Sequence, residues 1–259
     1  MLLINTRPQD RAAALTQALQ MAGYQVDELP LLELIAAPFS KSLEQLYQQL
    51  DQVQVIVVVS PTAVEIGMRY LKQAKIALER LKHIQWIAVG QTTAQALHAF
   101  GIRSVVPKVE NSEGMLALPQ LAQATHLNNV AFWRGIGGRQ FMMHQLQQQG
   151  IDVLNFVLYH RQCPELSIER FSTLVQQYQQ QYQYVAVVIS SEASWNNWQG
   201  LLQHNPTNIQ WVYLVLGQRL TQLLETAQAQ SDNKMHIISL DYLSAKEMVT
   251  CLDEWQQGI

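Results

Sequence analysis

The sequence has few of the residues that build metal sites and disulfide frameworks. Only two of its 259 residues are cysteine, Cys163 and Cys251, and they form no CxxC spacing. Neither a zinc site nor a disulfide framework is indicated, and we expect reduced thiols. The seven histidines form no HxH or HExxH pair, so no metal ligation is predicted.

Charge and long apolar runs are also scarce. Charged residues make up 14% of the chain, the net charge is −3, and lysine and arginine are scattered. A nucleic-acid partner is not expected, because such proteins carry a basic face. Runs such as Val55 to Val59 are far below the roughly 18 residues that a membrane helix needs. The N-terminus lacks a signal-peptide pattern, so we expect a cytoplasmic globular protein with no membrane contact.

Three common catalytic and nucleotide-binding motifs are incomplete. GIGG at 135 to 138 would need a third glycine at 140 to bind a dinucleotide, but Gln140 stands there. No GK[ST] sequence marks a P-loop, and neither Ser60 nor Ser190 lies in GxSxG. A helix N-cap is therefore favoured over a nucleophile for both serines.

The sequence does contain an internal duplication. A strand, an arginine and a helix ending in glycine occur at the N-terminus and again from Val130 to Gly150. Arg7 and Arg134 lie 127 positions apart, as do Gly23 and Gly150. We infer two copies, each roughly half of the chain.

Each copy alternates short apolar strands with helical segments, which predicts parallel sheets with helices on both faces. The strands of the first copy are predicted at 2–5, 25–28, 55–59, 86–89 and 104–106. Those of the second copy are predicted at 130–133, 152–156, 185–189, 211–216 and 236–238. Extra segments at 31–36 and 158–162 are expected to be extended and outside the sheets, and the chain could cross between two domains there. A simple split near residue 125 is the alternative.

Hydroxyl, glycine and arginine side chains follow almost every predicted strand. Ligands bind at the carboxyl ends of strands in open parallel sheets, where helix N-termini attract anions. The sequence therefore predicts a set of sites for carboxylates or phosphates.

Six motifs, in order and spacing, resemble the uroporphyrinogen-III synthase family over nearly the whole chain. They are TRP at 6–8, SPTAV at 60–64, AVGQTTA at 88–94, NSEGML at 111–116, RGIGGR at 134–139, and Tyr159 followed by Arg161. The resemblance implies two flavodoxin-like α/β domains joined by two β connections, with a cleft between them. The implied domains are 1–33 plus 164–259 and 36–160, and the connections are 31–37 and 157–163.

The resemblance also implies a reaction in haem and sirohaem biosynthesis. A lyase of this family closes hydroxymethylbilane to uroporphyrinogen III, with inversion of ring D, loss of water, and no cofactor or metal. Tyr159 matches the family's candidate acid for the departing hydroxyl, and Thr93 is the second candidate catalytic residue. Strand ends and resemblance together predict these substrate-binding residues: Arg7, Ser60, Thr62, Ala63, Gly90, Thr92, Ser112, Glu113, Gly114, Arg134, Gly135, Gly137, Gly138, Arg139, Ser190, Ser191, Glu192, Gly217 and Arg219.

Two other functions remain open at this level. A non-catalytic two-domain protein that binds a small polyanion fits the strand-end sites equally well, and a dinucleotide oxidoreductase is weakened by the incomplete glycine motif. For the synthase, we expect a monomer that receives its tetrapyrrole substrate by transient hand-over from hydroxymethylbilane synthase.

Overall fold

The computed structural model describes residues 1–122, 127–137, 140–230 and 235–258, in which strands and helices alternate. The strands are β1 (Leu2–Asn5), β2 (Gln25–Glu28), β3 (Glu33–Ala36), β4 (Val55–Val58), β5 (Gln85–Ala88), β6 (Ser104–Val105), β7 (Asn129–Gly135), β8 (Asp152–Gln162), β9 (Tyr184–Ile189), β10 (Gln210–Leu216) and β11 (His236–Leu240). The α-helices are α1 (Gln9–Met21), α2 (Lys41–Gln48), α3 (Pro61–Gln73), α4 (Gln91–His98), α5 (Ser112–Leu116), α6 (Pro119–Ala122), α7 (Phe141–Gln148), α8 (Glu165–Gln181), α9 (Glu192–His204), α10 (Gln218–Ala229) and α11 (Ala245–Gln257).

The chain forms two compact units with one sheet each. Unit 1 comprises Met1–Glu33 and Gln162–Ile259, and unit 2 comprises Leu34–Arg161. The sheet of unit 1 has the order β11-β10-β9-β1-β2, and that of unit 2 has the order β3-β8-β7-β4-β5-β6. The chain passes from one unit to the other within β3 and again within β8.

Both sheets have the flavodoxin-like strand order 2-1-3-4-5. In unit 1, β1 and β2 of the first sequence copy pair with β9, β10 and β11 of the second. In unit 2, β7 and β8 of the second copy are followed by β4, β5 and β6 of the first, with β3 added at the edge. The strand pairs are parallel, which confirms the predicted α/β class; they include β1–β2, β1–β9, β9–β10, β4–β7 and β7–β8.

Helices cover both faces of each sheet, as the continuous apolar strands require. Every residue of β1 and β4 is buried. In unit 2, the fully buried Trp133 of β7 packs edge-on against Trp86 with ring centroids 5.2 Å apart. In unit 1, Trp198 of α9 packs edge-on against Phe171 at 5.2 Å. Each unit therefore has an aromatic centre of its own.

The two extra segments do not lie outside the sheets, so that prediction is wrong. Residues 33–36 form β3 beside β8 in the sheet of unit 2, and residues 158–162 continue β8 to a length of 11 residues. The reason is backbone hydrogen bonding, since the Ala37 N–H donates to the Leu158 carbonyl at 2.8 Å just beyond β3. Extended backbone beside a sheet edge is most stable when it pairs.

No helix within the described ranges is long and apolar enough to cross a membrane.

Candidate functional site

A cavity of about 400 Å³ opens in unit 2 where parallel strands end. It lies beside the boundary between β7 and β4, where the strand order reverses, which is the usual ligand position in this fold. Residues that follow or end β4, β5, β7 and β8 meet residues at the start of α5. The lining residues are Val59, Val89, Asn111, Ser112, Met115, Arg134, Gly135, Tyr159 and Arg161.

An irregularity in β8 places Tyr159 in this cavity. Arg134 pairs with Val157, but the next residue, Gly135, pairs with Tyr159 and not with Leu158. Such β-bulges re-aim side chains and are frequent beside active sites. Leu158 and Tyr159 consequently pack in the same core cluster, although regular alternation would put them on opposite faces of the sheet.

Glycine at 135 makes room for the tyrosine ring. A Cβ atom at this position would lie 2.3 Å from Cε2 and 2.6 Å from Cζ of Tyr159, well inside van der Waals contact. The Ile136 N–H donates to the Tyr159 carbonyl at 2.8 Å, which fixes the backbone of β8 against this turn. The ring therefore lies directly on the backbone of β7.

The hydroxyl of Tyr159 is hydrogen-bonded to Ser60, which lies just after β4. Ser60 follows β4 and caps α3, where its Oγ accepts the Ala63 N–H at 3.1 Å. The same Oγ lies 2.9 Å from the Tyr159 hydroxyl oxygen. One serine thus serves both as the predicted N-cap and as a partner of the buried tyrosine.

Two arginines make the cavity electropositive. Arg134 is only 5% exposed, and burial, together with the nearby charge of Arg161, lowers the pKa of its guanidinium, while Tyr159 acts in the opposite direction. Arg161 lies over the ring of Tyr159, 5.7 Å from its centroid, and donates to the Ile136 carbonyl at 3.3 Å. An anion in the cavity would be attracted by both cations.

Two backbone donors at helix starts are already used within the chain. The Gln91 N–H at the start of α4 donates to the Glu110 carboxylate at 3.0 Å, and that carboxylate lies 2.2 Å from where a Cβ of Gly90 would be. The Gly114 N–H donates to Asn111 Oδ1 at 2.8 Å. Residues of this protein, rather than a ligand, satisfy these helix starts.

The remaining predicted residues of unit 2 that the structure describes, Ser60 among them, are not lining residues of the cavity. Thr93 is 1% exposed in the first turn of α4. Gly137 has a φ of +81°, a backbone conformation that favours glycine. Others of this set are Thr62, Ala63, Gly90, Thr92, Glu113 and Gly114. Gly138 and Arg139 lie outside the described residues.

The predicted residues of unit 1 occupy the ends of β1, β9 and β10. The N-cap of α9 is Ser191 and not Ser190, because the capping box joins Ser191 to Ser194 three residues later. Glu192 pairs with Arg219 at 3.2 Å on the surface. Arg7 follows β1, and Gly217 begins α10 with a φ of +78°.

Sequence reasoning missed five lining residues: Val59, Val89, Asn111, Met115 and Arg161. Asn111 and Met115 lie in the quoted NSEGML motif, and Arg161 was noted beside Tyr159, so proximity to these motifs was an available signal. For Val59 and Val89 the available signal was their position at the end of a strand. The bulge that joins Tyr159 to Gly135 leaves no trace in the residue pattern.

Fold and site together define a class: a two-unit flavodoxin-like α/β protein with a basic, tyrosine-containing pocket at strand carboxyl ends. The family model described as uroporphyrinogen-III synthase HemD matches residues 13–233. The chain belongs to the uroporphyrinogen-III synthase family.

Relatives and solved structures agree with this assignment. The chain is 28% identical over 164 residues to uroporphyrinogen-III synthase of Salmonella typhimurium, with 62% of this chain and 65% of that protein covered. It is 28% identical over 167 residues to a putative uroporphyrinogen-III synthase of Methanothermobacter thermautotrophicus, with 62% of each covered. The chain thus spans slightly less than two thirds of these curated relatives.

Two crystal structures share the fold over the full length. A mutant uroporphyrinogen III synthase from Thermus thermophilus superposes with a TM-score of 0.63 at 15% identity, covering 99% of both chains. Uroporphyrinogen-III synthetase from Helicobacter pylori gives a TM-score of 0.54 at 13% identity, again covering 99% of both chains. At these identities the likeness establishes the fold.

Proposed function

We propose that this protein is a cyclising lyase that converts hydroxymethylbilane into uroporphyrinogen III, with inversion of ring D and loss of water. The observation that carries the proposal is the pocket in unit 2, which is lined by Tyr159, Arg134 and Arg161 and whose tyrosine hydroxyl is hydrogen-bonded to Ser60. Family membership supplies the substrate class.

The pocket suits one end of a carboxylate-bearing substrate. A cavity of about 400 Å³ is too small for four pyrrole rings but accommodates one substituted ring. Arg134 and Arg161 attract the acidic side groups of that ring, although the whole chain carries a net charge of −3. Local cations can therefore bind a polyanion without a basic protein.

Tyr159 is the proposed acid for the departing hydroxyl. Tyr159 is one of the lining residues, and its buried ring is fixed by Gly135, so we propose that a substrate hydroxyl that enters the cavity accepts the phenol proton. Folding the bilane for closure is the other task, and we expect positioning to contribute more than proton transfer. Thr93 remains the second proposed catalytic residue, and the predicted glycine, threonine and serine residues around the strand ends remain proposed contributors to binding.

The organisation around this activity is also a proposal. We infer domains at 1–33 plus 164–259 and 36–160, with connections at 31–37 and 157–163. The enzyme acts as a monomer in the cytoplasm and receives its substrate from hydroxymethylbilane synthase by transient hand-over. Light scattering of the purified protein measures its molar mass in solution and so tests whether it is a monomer.

A coupled assay tests the activity. The purified protein is added to a hydroxymethylbilane-forming deaminase, and the oxidised products are separated by chromatography. The proposal predicts that the type III isomer dominates, and accumulation of type I alone would refute it. Thermal stabilisation by uroporphyrinogen without turnover would instead favour the non-catalytic polyanion-binding protein, which family membership does not favour.

A further inference from the structure

The hydrogen bond between Ser60 and Tyr159 has a direction that matters for the chemistry. A tyrosine hydroxyl has one proton, so Tyr159 can donate either to Ser60 or to a group in the cavity, but not to both. The two oxygens are 2.9 Å apart, and the distance alone is compatible with either donor. The second contact of Ser60 distinguishes the roles.

Ser60 Oγ already accepts one hydrogen bond, from the Ala63 N–H at 3.1 Å. Its own proton has no partner in the N-cap and is available to the oxygen of Tyr159. We propose that Ser60 is a positioning residue: it donates to the Tyr159 oxygen and so directs the tyrosine proton into the cavity, toward the leaving hydroxyl. This inference rests on the proposed function and gives Ser60 a task different from substrate binding.

The proton balance of the step is complete. As the carbon–oxygen bond of the substrate breaks, the hydroxyl takes the Tyr159 proton and leaves as water. The phenolate that remains keeps the hydrogen bond from Ser60 and lies beside Arg134 and Arg161. Closure with inversion of ring D then forms two carbon–carbon bonds and breaks one, and a substrate carbon releases one proton, which returns to Tyr159.

Two substitutions of Ser60 with side chains of nearly equal size test which of the two hydroxyls donates the hydrogen bond. Asparagine and aspartate at position 60 both cap a helix well. Only asparagine also carries a donor for the tyrosine, whereas aspartate forces Tyr159 to donate to it. We expect Ser60→Asn to keep most of kcat and Ser60→Asp to lose about as much as Tyr159→Phe. Ser60→Ala should lower kcat about 10-fold, the value of one hydrogen bond, and Ser60→Thr should restore it.

Two controls separate positioning from stability and from substrate binding. Ser40 caps α2 in the same unit, with its side chain accepting the Leu43 N–H, so Ser40→Ala measures the loss of a cap away from the tyrosine. It should lower the melting temperature and leave kcat unchanged. In Ser60→Asp and Ser60→Ala kcat should fall at constant KM, whereas loss of a residue that only binds substrate would raise KM. Equal kcat for Ser60→Asn and Ser60→Asp overturns the inference.

A spectroscopic measurement tests the inference even if the proposed activity fails. Raman difference spectra between the wild type and Tyr159→Phe isolate the Tyr159 doublet, whose intensity ratio distinguishes an accepting from a donating hydroxyl. The wild type should show an acceptor and Ser60→Asp a donor. A donor signature in the wild type overturns the inference, whichever isomer the coupled assay yields.

Discussion

Replacing Gly135 by alanine should displace the ring of Tyr159. The new Cβ would lie 2.3 Å, 2.6 Å and 2.8 Å from Cε2, Cζ and Cδ2 of Tyr159, where ordinary contacts begin at 3.4 Å. The ring must therefore move by about 1 Å to reach ordinary contact. Since the ring is 1% exposed and packs in the core of unit 2, it cannot move freely, and its bond to Ser60 should lengthen or break.

A shift of about 1 Å in a positioned group can reduce the rate about 100-fold. We expect Gly135→Ala to lower kcat by this order and to lower the free energy of unfolding by about 1–3 kcal/mol through overpacking. Both quantities are measurable, by the coupled isomer assay and by urea unfolding.

Two glycine variants serve as controls for the lost stability. In Gly67→Ala the Cβ would meet Trp133 at 2.2 Å, so the same unit is overpacked away from Tyr159. Gly200 has no neighbour within 4 Å, and alanine there should not destabilise α9. Per folded molecule, both should retain wild-type kcat. A folded Gly135→Ala protein with wild-type kcat would refute the proposed role of Tyr159.

Three further predictions concern the tyrosine, the α4 helix and a half-buried thiol. Tyr159→Phe should lower kcat for the type III isomer about 100-fold or more with little change in melting temperature, and unchanged kinetics would remove the acid role. Glu110→Gln should lower the free energy of unfolding by about 0.5 kcal/mol, because the Gln91 N–H loses the carboxylate that accepts its hydrogen bond. As a control, Glu65→Gln at an exposed position of α3 should leave this free energy unchanged. Equal free energies for the two variants would contradict the prediction. Burial, and to a smaller extent the charge of Glu33, raises the pKa of Cys163 from 9.0 to about 11. Alkylation of this thiol near pH 8 should therefore be roughly 100-fold slower in the folded protein than in urea. The stability that this thiol contributes is present below pH 9.0 and is lost as the pH rises toward 11, and rapid alkylation of the folded protein would contradict the burial.

The strands and the α/β class were predictable because their signals are local in the sequence. Apolar runs indicate the strands, and the glycines and helical spacing next to them indicate the turns and helices. Val55–Val58 and Tyr184–Ile189 form strands within one residue of the predicted ranges. The edge strand Glu33–Ala36 was not predicted as part of a sheet, since its pairing depends on a long β8 far away in sequence.

The candidate site was predictable in its residue types but not in its hydrogen bonding. Tyr159 and Ser60 were both named, yet their contact spans 99 positions and depends on a bulge. The strand-end glycines were predicted as anion sites, but Glu110 occupies the N–H at the start of α4. A side chain that fills a helix start from another loop cannot be inferred from local pattern, because only the folded backbone brings the two together.

The most direct test of the proposed site is a crystal structure with uroporphyrinogen III bound under reducing conditions. We expect a product carboxylate at about 3 Å from the guanidinium of Arg134 or Arg161, with the Tyr159 hydroxyl facing the macrocycle. We also expect that the contact between Tyr159 and Ser60 is retained. Product bound away from this pocket, with Tyr159 remote from every ring, would contradict the proposed site.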